Sequence, residues 1–395
     1  MKLYDIAVIG GGAAGICAAI SAARRGRSVV ICEKTSHLGK KILATGNGRC
    51  NLLNDTLDES FYNPAAHPLV RSVFSQFGKA AVLDLFHGLG LETYSHEGRI
   101  FPRTNQAASV LQVLQMEIAR LSIPVEFNFN CARIEFANQH IQLYSETTGK
   151  VNCGRVVITG GGKSYPAFGS DGSAYELART LGHKIIEPVP SVVPLVSKDR
   201  LCQLLQGQRV FASAKSLVEN QAGDEVHGEL LFTKYGLSGT CILDVSEALS
   251  VAINRHKQTN VAVCVDLVPF MDIGRLTEEL ERRKALRWPD VDMLAGILPN
   301  KFGAALQDWF VKGNMAKIAG GLKDYRFKIT GTRGWNEAEF TSGGVSVDEI
   351  DIRTLESKLK PGVYFAGEVL DVNGRRGGYN LAFAWASGMV AGQSG

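Results

Sequence analysis

The fold is decided near the start of the chain by Ile6-Ala7-Val8-Ile9-Gly10-Gly11-Gly12-Ala13-Ala14-Gly15, which continues into Ile16-Cys17-Ala18-Ala19-Ile20. The apolar residues predict a strand, the glycines a turn, and the small residues that follow predict a helix. Gly10 permits the tight turn, Gly12 lets the backbone approach a pyrophosphate, and Gly15 lets the helix pack close to the strand. Bare N–H groups at the helix N-terminus then face the phosphates, so the motif predicts a dinucleotide.

A second predicted strand supplies a carboxylate at the spacing such a site needs. Ser28-Val29-Val30-Ile31-Cys32 ends in Glu33, about twenty residues beyond the glycines, where an acid binds ribose hydroxyls. An acid at this position favours an unphosphorylated ribose, so FAD or NAD is expected rather than NADP. Strand, spacing and acid together disfavour the alternative, a strand–turn–helix that binds no ligand.

Length and composition are those of a globular protein of two or three domains. The 395 residues are 45% hydrophobic and 21% charged, which allows a sizeable core. We see neither a secretory signal nor an apolar run of about twenty residues, so we expect a cytoplasmic protein that does not enter membranes. The eight cysteines form no C-x-x-C pair, and no metal site is expected. A net charge of +4 indicates little about nucleic acid by itself.

Glycine-rich strand ends occur twice more along the chain. Val156-Val157-Ile158-Thr159 ends in Gly160-Gly161-Gly162, and Val363-Tyr364-Phe365-Ala366 ends in Gly367-Glu368, ahead of a predicted helix from Asn380 to Ala391. Other helices are predicted around 70–86 and 107–121. The pattern changes after the proline-rich joint at 188–194. We predict a discontinuous dinucleotide-binding domain, 1–190 and 336–395, around an inserted β-rich domain, 191–335, with a helical subdomain at about 272–320.

The three glycine-rich strand ends meet if their strands are neighbours in a parallel sheet, because ligands bind at the carboxyl ends of such strands. FAD is long enough to touch all three. The predicted contacts are then Gly10, Gly12, Ala13, Ala14 and Gly15 to the pyrophosphate, Glu33 to the ribose, the backbone near Cys131 or Ala132 to the adenine, and Gly367, Glu368 and Asp371 to the ribityl chain.

The start of the last predicted helix is a candidate contact to the flavin ring. Backbone N–H groups of Asn380 and Leu381 would face the pyrimidine edge and stabilise the negative charge that collects there on reduction. The alternative for Asn380 is helix capping, which is compatible with a flavin contact.

Four motifs in order resemble a known family. They span 39–51 (GKKILATGNGRCN), 159–166 (TGGGKSYP), 228–239 (GELLFTKYGLSG) and 367–380 (GEVLDVNGRRGGYN). Together they resemble the HI0933-like (BaiN/RdsA) family of FAD-dependent NAD(P)H oxidoreductases, over essentially the whole chain. The resemblance implies an α/β two-dinucleotide-type FAD-binding fold with a Rossmann-like parallel sheet, and NAD(P)H as a transient electron donor. It also implies reduction of a conjugated C=C bond, in an enone or in a uridine of ribosomal RNA, and one relative is linked with amine oxidation.

The same segments supply candidate catalytic residues. Cys50, between Arg49 and Asn51, would have a lowered thiol pKa and deliver a proton opposite the flavin hydride; the alternative is a packed loop cysteine. Lys163 and Tyr165 are candidate polar groups over the flavin, although Tyr165 could equally pack on Pro166. The predicted cofactor-binding set is completed by Lys34, Lys41, Gly48, Arg49, Cys50, Asn51, Thr159, Gly160, Gly161 and Gly378.

Three cations of the 39–51 segment have an open assignment. Lys40, Lys41 and Arg49 would neutralise the pyrophosphate or a substrate phosphate, and the alternative is that they are solvated loop charges.

The predicted insertion contains a basic stretch interleaved with Tyr325, Phe327 and Trp335, a mixture that suits a phosphate backbone and stacked bases. The alternative is a solvated basic face whose rings belong to the local core. We expect a uridine of ribosomal RNA as preferred substrate; the alternatives are a small enone, an amine, or a non-enzymatic RNA-binding flavoprotein. The cations of the stretch are Lys312, Lys317, Lys323, Arg326, Lys328 and Arg333.

Overall fold

The structure, a computed structural model, describes residues 2–137, 140–311 and 313–395. Its contacts divide the chain into two units. The first unit comprises Met1–Pro188 and Phe340–Gly395, and the inserted unit comprises Val189–Glu339. Each unit has an apolar core of its own.

Strands and helices alternate along much of the chain. The strands are β1 (Leu3–Ile9), β2 (Val29–Glu33), β3 (Leu53–Asn54), β4 (Thr93–His96), β5 (Arg99–Pro102), β6 (Val125–Phe127), β7 (Cys131–Ala137), β8 (His140–Ser145), β9 (Gly149–Ile158), β10 (Ile185–Ser191), β11 (Leu195–Val196), β12 (Arg209–Val218), β13 (Gln221–Ala222), β14 (Val226–Thr233), β15 (Gly236–Ser238), β16 (Val261–Asp266), β17 (Tyr325–Lys328), β18 (Gly331–Thr332), β19 (Phe340–Val345) and β20 (Val363–Phe365). The helices are α1 (Ala13–Arg24), α2 (Lys40–Ala44), α3 (His67–Gln76), α4 (Lys79–Gly88), α5 (Ala107–Arg120), α6 (Ser173–Thr180), α7 (Arg200–Leu204), α8 (Thr240–Ser250), α9 (Ile273–Ala285), α10 (Asn300–Val311), α11 (Met315–Lys323) and α12 (Tyr379–Ser394).

The main sheet of the first unit has the order β6-β2-β1-β9-β8-β7, and β20 also pairs with β9. The pairs among β6, β2, β1, β9 and β20 are parallel, whereas β8 runs antiparallel to β9 and β7. The residues of β2 and the last four of β1 are buried and mostly apolar, as expected for parallel strands covered on both faces. A smaller antiparallel sheet has the order β3-β5-β4.

Helix α12 packs against α1 through small residues. A Cβ on Gly388 would lie 2.3 Å from the Ala14 oxygen, and one on Gly392 would lie 2.1 Å from the Ala18 oxygen. Glycine at these positions therefore permits the close approach of the two helices. Most residues of α12 are buried, as expected for a helix that is apolar on every side.

The helices lie where the sequence patterns predict them, but one predicted helix is interrupted. The single helix predicted around 70–86 is two helices, α3 and α4, because the chain turns at Phe77 and Gly78, where a Cβ on Gly78 would lie 2.9 Å from the Phe74 oxygen. Helix α5 and the start of α12 each lie within one residue of their predicted limits.

The inserted unit is built on an antiparallel sheet in the order β17-β16-β12-β14-β15-β11-β18, with β13 on β12. Helix α8 lies against β12 and β14, and α9 to α11 form a helical part. Phe232, Phe302 and Phe327 are fully buried in its core, and Phe232 contacts both of the other rings edge to face. In the part of the chain that the structure describes, no helix has the length and apolar character needed to cross a bilayer.

Candidate functional site

The glycine-rich strand ends meet at one edge of the main sheet of the first unit. In the parallel register Ile9 lies opposite both Cys32 and Ile158, and Phe365 also lies opposite Ile158. The turns that begin at Gly10, Gly160 and Gly367, and the carboxylate of Glu33, therefore leave the sheet side by side. This is the convergence that an extended dinucleotide requires.

The first glycine turn combines tight packing with open space. A Cβ on Gly15 would lie 1.9 Å from the Gly10 oxygen, and one on Gly10 would lie 2.7 Å from the Thr159 oxygen, so both positions need glycine. By contrast, no atom lies within 4 Å of a Cβ on Gly12. No side chain caps the N-terminus of α1 and its first turn has no acid, which leaves its N–H groups for an anion. Ala13 and Ala14 form this first turn.

The carboxylate of Glu33 is held at the first glycine turn. Glu33 is buried, its Oε2 accepts from the Gly11 N–H at 2.7 Å, and its Oε1 accepts from the Thr35 N–H at 2.7 Å. The Phe129 N–H donates to the Glu33 backbone oxygen at 2.9 Å, which brings the segment leading to Cys131 and Ala132 beside the same strand end. The predicted ribose and adenine contacts are thus neighbours.

The second glycine turn is tied to the first by Thr159, whose Oγ1 donates to the backbone oxygens of Ile9 and Gly10 at 2.9 and 2.8 Å. Gly160 packs on Ala174, where a Cβ would approach to 2.8 Å. A Cβ on Gly161 would lie 2.8 Å from Ser170 Oγ, a buried hydroxyl with no hydrogen-bond partner among the described residues.

The third turn contains a polar cluster that sequence reasoning did not assemble. Lys41 Nζ donates to Glu368 Oε2 and to Ser164 Oγ, both at 2.6 Å. The Ser164 hydroxyl donates to Glu368 Oε1 at 3.0 Å, and the Thr341 N–H donates to the same oxygen at 2.9 Å. The side chains of Lys41 and Glu368 are 24% and 19% exposed. Lys41 is therefore neutralised by Glu368 and is not a solvated loop charge.

The remaining parts of the third turn lie close to the first. Gly367 has a φ of +76° and packs on Ala14, where a Cβ would approach to 2.8 Å, and its N–H donates to Ser387 Oγ at 3.0 Å. Asp371 is half-buried, and its N–H donates to the Val345 oxygen at 2.9 Å.

A buried acceptor lies beside the start of α12. Asn380 does not cap the helix: its Oδ1 and Nδ2 bond the N–H and oxygen of Gly374 at 2.9 and 2.7 Å. The Asn51 Oδ1 atom is buried with no partner among the residues described, 2.9 Å from where a Cβ on Gly378 would lie. An uncapped helix start that includes Leu381, beside a lone acceptor, fits a flavin pyrimidine edge with its N–H group.

Three further candidate residues, Lys34, Lys163 and Tyr165, lie on or near the loop that follows the second glycine turn. Lys34 Nζ pairs with Asp171 at 2.6 Å, and Lys163 lines a cavity of about 330 Å³ together with Asp171. Tyr165 has a φ of +54° and its ring centroid lies 5.6 Å from that of Phe168. Lys163 and Tyr165 are both half-buried.

The prediction of a lowered thiol pKa for Cys50 is wrong. The side chain is 0% exposed, and burial raises its pKa to about 12, opposed only in part by a hydrogen bond to Thr45. A neutral thiol covered by protein cannot reach a substrate carbon, so the structure favours the packed loop cysteine. A cofactor contact by the backbone of Cys50 stays a prediction. Gly48 and Arg49 lie just before it on an exposed turn.

The basic stretch of the inserted unit is largely neutralised by its own neighbours. Lys323 Nζ lies 2.6 Å from Asp266 Oδ2 and donates to two backbone oxygens, those of Val268 and Met271. Arg326 pairs with Asp324 at 2.8 Å and Arg333 with Glu337 at 2.6 Å. Lys317 and Lys328 are exposed, and Lys312 lies outside the described residues.

The aromatic rings of this stretch belong mainly to the local core, as the alternative interpretation had it. Phe327 is 0% exposed. The Tyr325 ring is stacked on Trp309 with centroids 6.0 Å apart, and the Tyr325 hydroxyl donates to Asp199. Rings held in this way are poor platforms for nucleotide bases.

Comparison with known proteins settles the family. A family model described as HI0933-like protein Rossmann domain matches residues 4–394. The chain is 35% identical over 404 residues to the 3-dehydro-bile acid delta(4,6)-reductase of Clostridium scindens, covering 98% of each protein. The chain belongs to the HI0933-like family. Another relative is the ribosomal RNA dihydrouridine synthase of Escherichia coli, 29% identical over 408 residues, or 100% of this chain and 98% of that protein.

Similarity to solved structures is informative only about the fold of this HI0933-like protein. The 3-ketosteroid delta1-dehydrogenase from Sterolibacterium denitrificans has a TM-score of 0.54 at 13% identity, covering 99% of both chains. The predicted family and the α/β fold with a Rossmann-like domain are confirmed. The predictions that the protein is an FAD-dependent oxidoreductase, and that FAD is its cofactor, are also confirmed.

Proposed function

We propose that this HI0933-like protein reduces a C=C bond conjugated to a carbonyl group, with FAD as the hydride carrier and NAD(P)H as the transient donor. The observation that carries the proposal is the convergence of three glycine-rich turns and the Glu33 carboxylate at one sheet edge. One relative is named a delta(4,6)-reductase and another a dihydrouridine synthase. Both names describe the saturation of a ring C=C bond.

Each part of the site has a role under this proposal. FAD, when bound, supplies a hydride to an electron-poor carbon. The N–H groups of α1 would bind its diphosphate in the space over Gly12, and Glu33 would bind its ribose. The N–H groups of Asn380 and Leu381 stabilise negative charge at the pyrimidine edge, since they lie at the positive end of the α12 dipole.

The proton that completes the reduction needs a group within reach of the substrate. Burial of Cys50 leaves Lys163 and Tyr165 as the candidates from the sequence, because both are half-buried and follow the second glycine turn. Lys163 also lines a cavity of about 330 Å³. A Lys163→Met variant is then expected to keep flavin reduction by NAD(P)H and to lose reduction of the substrate.

A uridine of ribosomal RNA is the preferred substrate under this proposal. Two dihydrouridine synthases are similar to the chain over at least 95% of its length. The C5=C6 bond of uridine is conjugated to its C4 carbonyl, so it belongs to the same chemical class as an enone.

A small enone is the second candidate, for two reasons. The relative named a bile acid reductase is more similar to the chain, at 35% identity, than the two dihydrouridine synthases. In addition, the basic stretch of the inserted unit is mostly paired with local carboxylates, which removes the argument for RNA binding there.

A direct experiment separates these outcomes. The flavin-loaded protein is reduced anaerobically with NADPH or NADH in a stopped-flow instrument, and the reduced protein is mixed either with ribosomal RNA from a deletion strain or with a panel of steroid-like enones. Reoxidation of the flavin with formation of dihydrouridine supports the first candidate, and reoxidation by an enone supports the second. A flavin that neither cofactor reduces, or that no substrate reoxidises, contradicts the proposal.

A further inference from the structure

We propose that the first unit contains a nucleotide-binding surface on the small β3-β5-β4 sheet, which we call the arginine–aromatic face and define as Arg49, Tyr94, Arg99, Phe101 and Arg103. This inference rests on the proposed function and favours RNA as its substrate. The ligand it fits is a chain of phosphates with exposed bases, that is, single-stranded or looped RNA.

The members of the arginine–aromatic face form a continuous row. The Arg49 guanidinium lies 4.9 Å from the Phe101 ring centroid, and the Arg103 guanidinium lies 5.3 Å from that of Tyr94. The two rings are 6.0 Å apart, because Tyr94 and Phe101 lie directly opposite each other in the β4–β5 register. Cation, ring, ring and cation therefore follow one another across the sheet.

Arg99 extends this row along the same side of β5. Side chains two residues apart on a strand point to the same side, so Arg99 and Phe101 share a face. His96 lies directly opposite Arg99 in the register and so shares that face as well. Phe101 is buried beneath the Arg49 guanidinium, whereas Tyr94 is half-buried and His96 is exposed. The face thus presents arginines beside Tyr94 and His96, and bases can stack on these rings and on the guanidinium planes while the charges bind phosphates.

The arginines of this face are not consumed by carboxylates. Within the ranges that the structure describes, Arg49, Arg99 and Arg103 have no carboxylate within 4.0 Å, although Glu92 and Glu97 are close in sequence. Arg49 and Arg103 are exposed. Their charges are therefore available to a polyanion, in contrast to Lys323, Arg326 and Arg333 of the inserted unit.

The arginine–aromatic face adjoins the helix start proposed to hold the flavin. Asn54 lies opposite Arg99 in the β3–β5 register, and its Nδ2 donates to the Gly377 oxygen at 3.0 Å. Gly377 precedes Gly378, the residue immediately before α12. Phosphates bound on this face would therefore hold an RNA strand beside the proposed flavin site.

The test measures binding of a fluorescent 20-nucleotide uridine-rich RNA to the flavin-loaded protein as salt is raised. The Arg99→Gln/Arg103→Gln variant is expected to bind about tenfold more weakly, with a salt slope shallower by about 1.4, since each contact to single-stranded phosphate contributes ~0.7. Arg103→Gln alone, at an exposed position, gives about half of that change and covers the case in which the double variant fails to fold.

Two matched variants control for net charge and for location. Arg71→Gln/Arg282→Gln removes two exposed charges that are paired elsewhere and is expected to bind like the unaltered protein. Lys317→Gln/Lys328→Gln tests the inserted unit. An equal loss in the charge control, a loss confined to the inserted-unit variant, or an unaltered protein that binds no RNA overturns the inference.

The same preparations keep this inference separate from the proposed function. Flavin reduction by NADPH and reoxidation by enones are recorded for each variant. Enone reduction by a protein that does not bind RNA overturns the arginine–aromatic face and leaves the proposed function in its small-molecule form. RNA binding by a protein whose flavin no donor reduces contradicts the proposed function and leaves the binding surface standing.

Discussion

The first glycine turn of the first unit, at 10–15, and the segment 236–239 of the inserted unit both begin and end in glycine, but their glycines have different surroundings. No atom lies within 4 Å of a Cβ on Gly12, whereas a Cβ on Gly236 or Gly239 would lie 2.3 Å from a backbone oxygen. Gly236 allows β15 to approach Leu195 of β11, and Gly239 allows the chain after β15 to approach Glu229 of β14, while Gly12 leaves room for a ligand. The space around a glycine, more than its presence, distinguishes a binding turn from a packing turn.

The cations of the two units differ in the same manner. In the inserted unit Lys323, Arg326 and Arg333 each pair with a carboxylate, whereas Arg49 and Arg103 of the first unit lie exposed on aromatic rings. A basic stretch in a sequence is therefore not yet a basic surface, because local acids decide how much charge reaches solvent.

The largest effect is expected within the first glycine turn itself. Gly15→Ala places a methyl group 1.9 Å from the Gly10 oxygen, so α1 must move away from β1. We expect the free energy of unfolding to fall by about 3 kcal/mol, with loss of bound flavin, as measured by urea unfolding and by absorbance. An unchanged unfolding midpoint would mean that the turn is not tightly packed.

Gly12→Ala is the counterpart that separates binding from packing. The methyl group meets no protein atom, so the unfolding free energy of the flavin-free protein should change by less than ~0.5 kcal/mol. Affinity for FAD should fall about tenfold, or ~1.4 kcal/mol, because the methyl group occupies the space over the turn. Titration of the flavin-free protein with FAD measures this, and equal affinity in variant and parent contradicts the assignment of Gly12.

In the inserted unit the corresponding test is Lys323→Met. It leaves the Asp266 carboxylate and the oxygens of Val268 and Met271 without their shared donor, and we expect a loss of about 2 kcal/mol in stability. RNA binding by the folded variant should not change, since Asp266 already neutralises the charge of Lys323 in the parent protein. Lys328→Met, at an exposed position, is the matched control and should leave the unfolding midpoint unaltered.

Cys50→Ala tests whether the thiol is packed or reactive. Removing one buried sulfur is expected to cost about 1 kcal/mol of stability and to leave the rate of substrate reduction unchanged. In the native protein at pH 7.5, iodoacetamide should not label Cys50, because its pKa is raised to about 12 by burial; peptide mass spectrometry measures this. A variant that keeps its flavin and its reduction by NAD(P)H but no longer reduces substrate would restore Cys50 as the proton donor.

The smallest effect concerns His183, a buried residue of the first unit with no role in the site. Burial lowers the pKa of His183, although Glu349 at 3.1 Å opposes the shift. Below the ordinary histidine pKa of ~6.5, the unfolded chain therefore binds a proton at His183 more readily than the folded protein does. The stability that neutral, buried His183 contributes is complete above that pH. It is lost as the pH falls, by at most ~1.4 kcal/mol per pH unit.

The measurement for His183 compares urea unfolding at pH 7.5 and pH 5.5 with that of His183→Gln. The difference between parent and variant should shrink at the lower pH. A difference that grows on acidification would show that the Glu349 pairing outweighs burial.

Features that depend on neighbours in sequence could be predicted. The strand before Gly10, the acid at Glu33 and the start of α12 follow from periodicity and spacing. The end of β1, both ends of β2 and the start of α12 lie within one residue of the expected positions, whereas β1 begins three residues earlier and α12 ends three residues later than predicted. The meeting of the strand ends also followed, because parallel pairing aligns carboxyl ends.

Features that depend on distant contacts could not be predicted in this way. Lys41 and Glu368 are 327 residues apart in sequence and form one ion pair, and no local pattern announces it. The prediction of a reactive Cys50 is wrong because Arg49, its cationic neighbour in sequence, lies on the Phe101 ring while the thiol itself is buried. The pairing of Lys323 with Asp266 has the same origin.

The packing of α12 on α1, with β20 beside β9, has a consequence for biosynthesis. A ribosome makes β1 and its glycine turn early, but α12, which packs on α1, and β20, which pairs with β9, emerge only after the whole inserted unit has been translated. The proposed flavin site is therefore incomplete until the inserted unit, which has an apolar core of its own, has been translated. Flavin loading should therefore follow translation of the inserted unit.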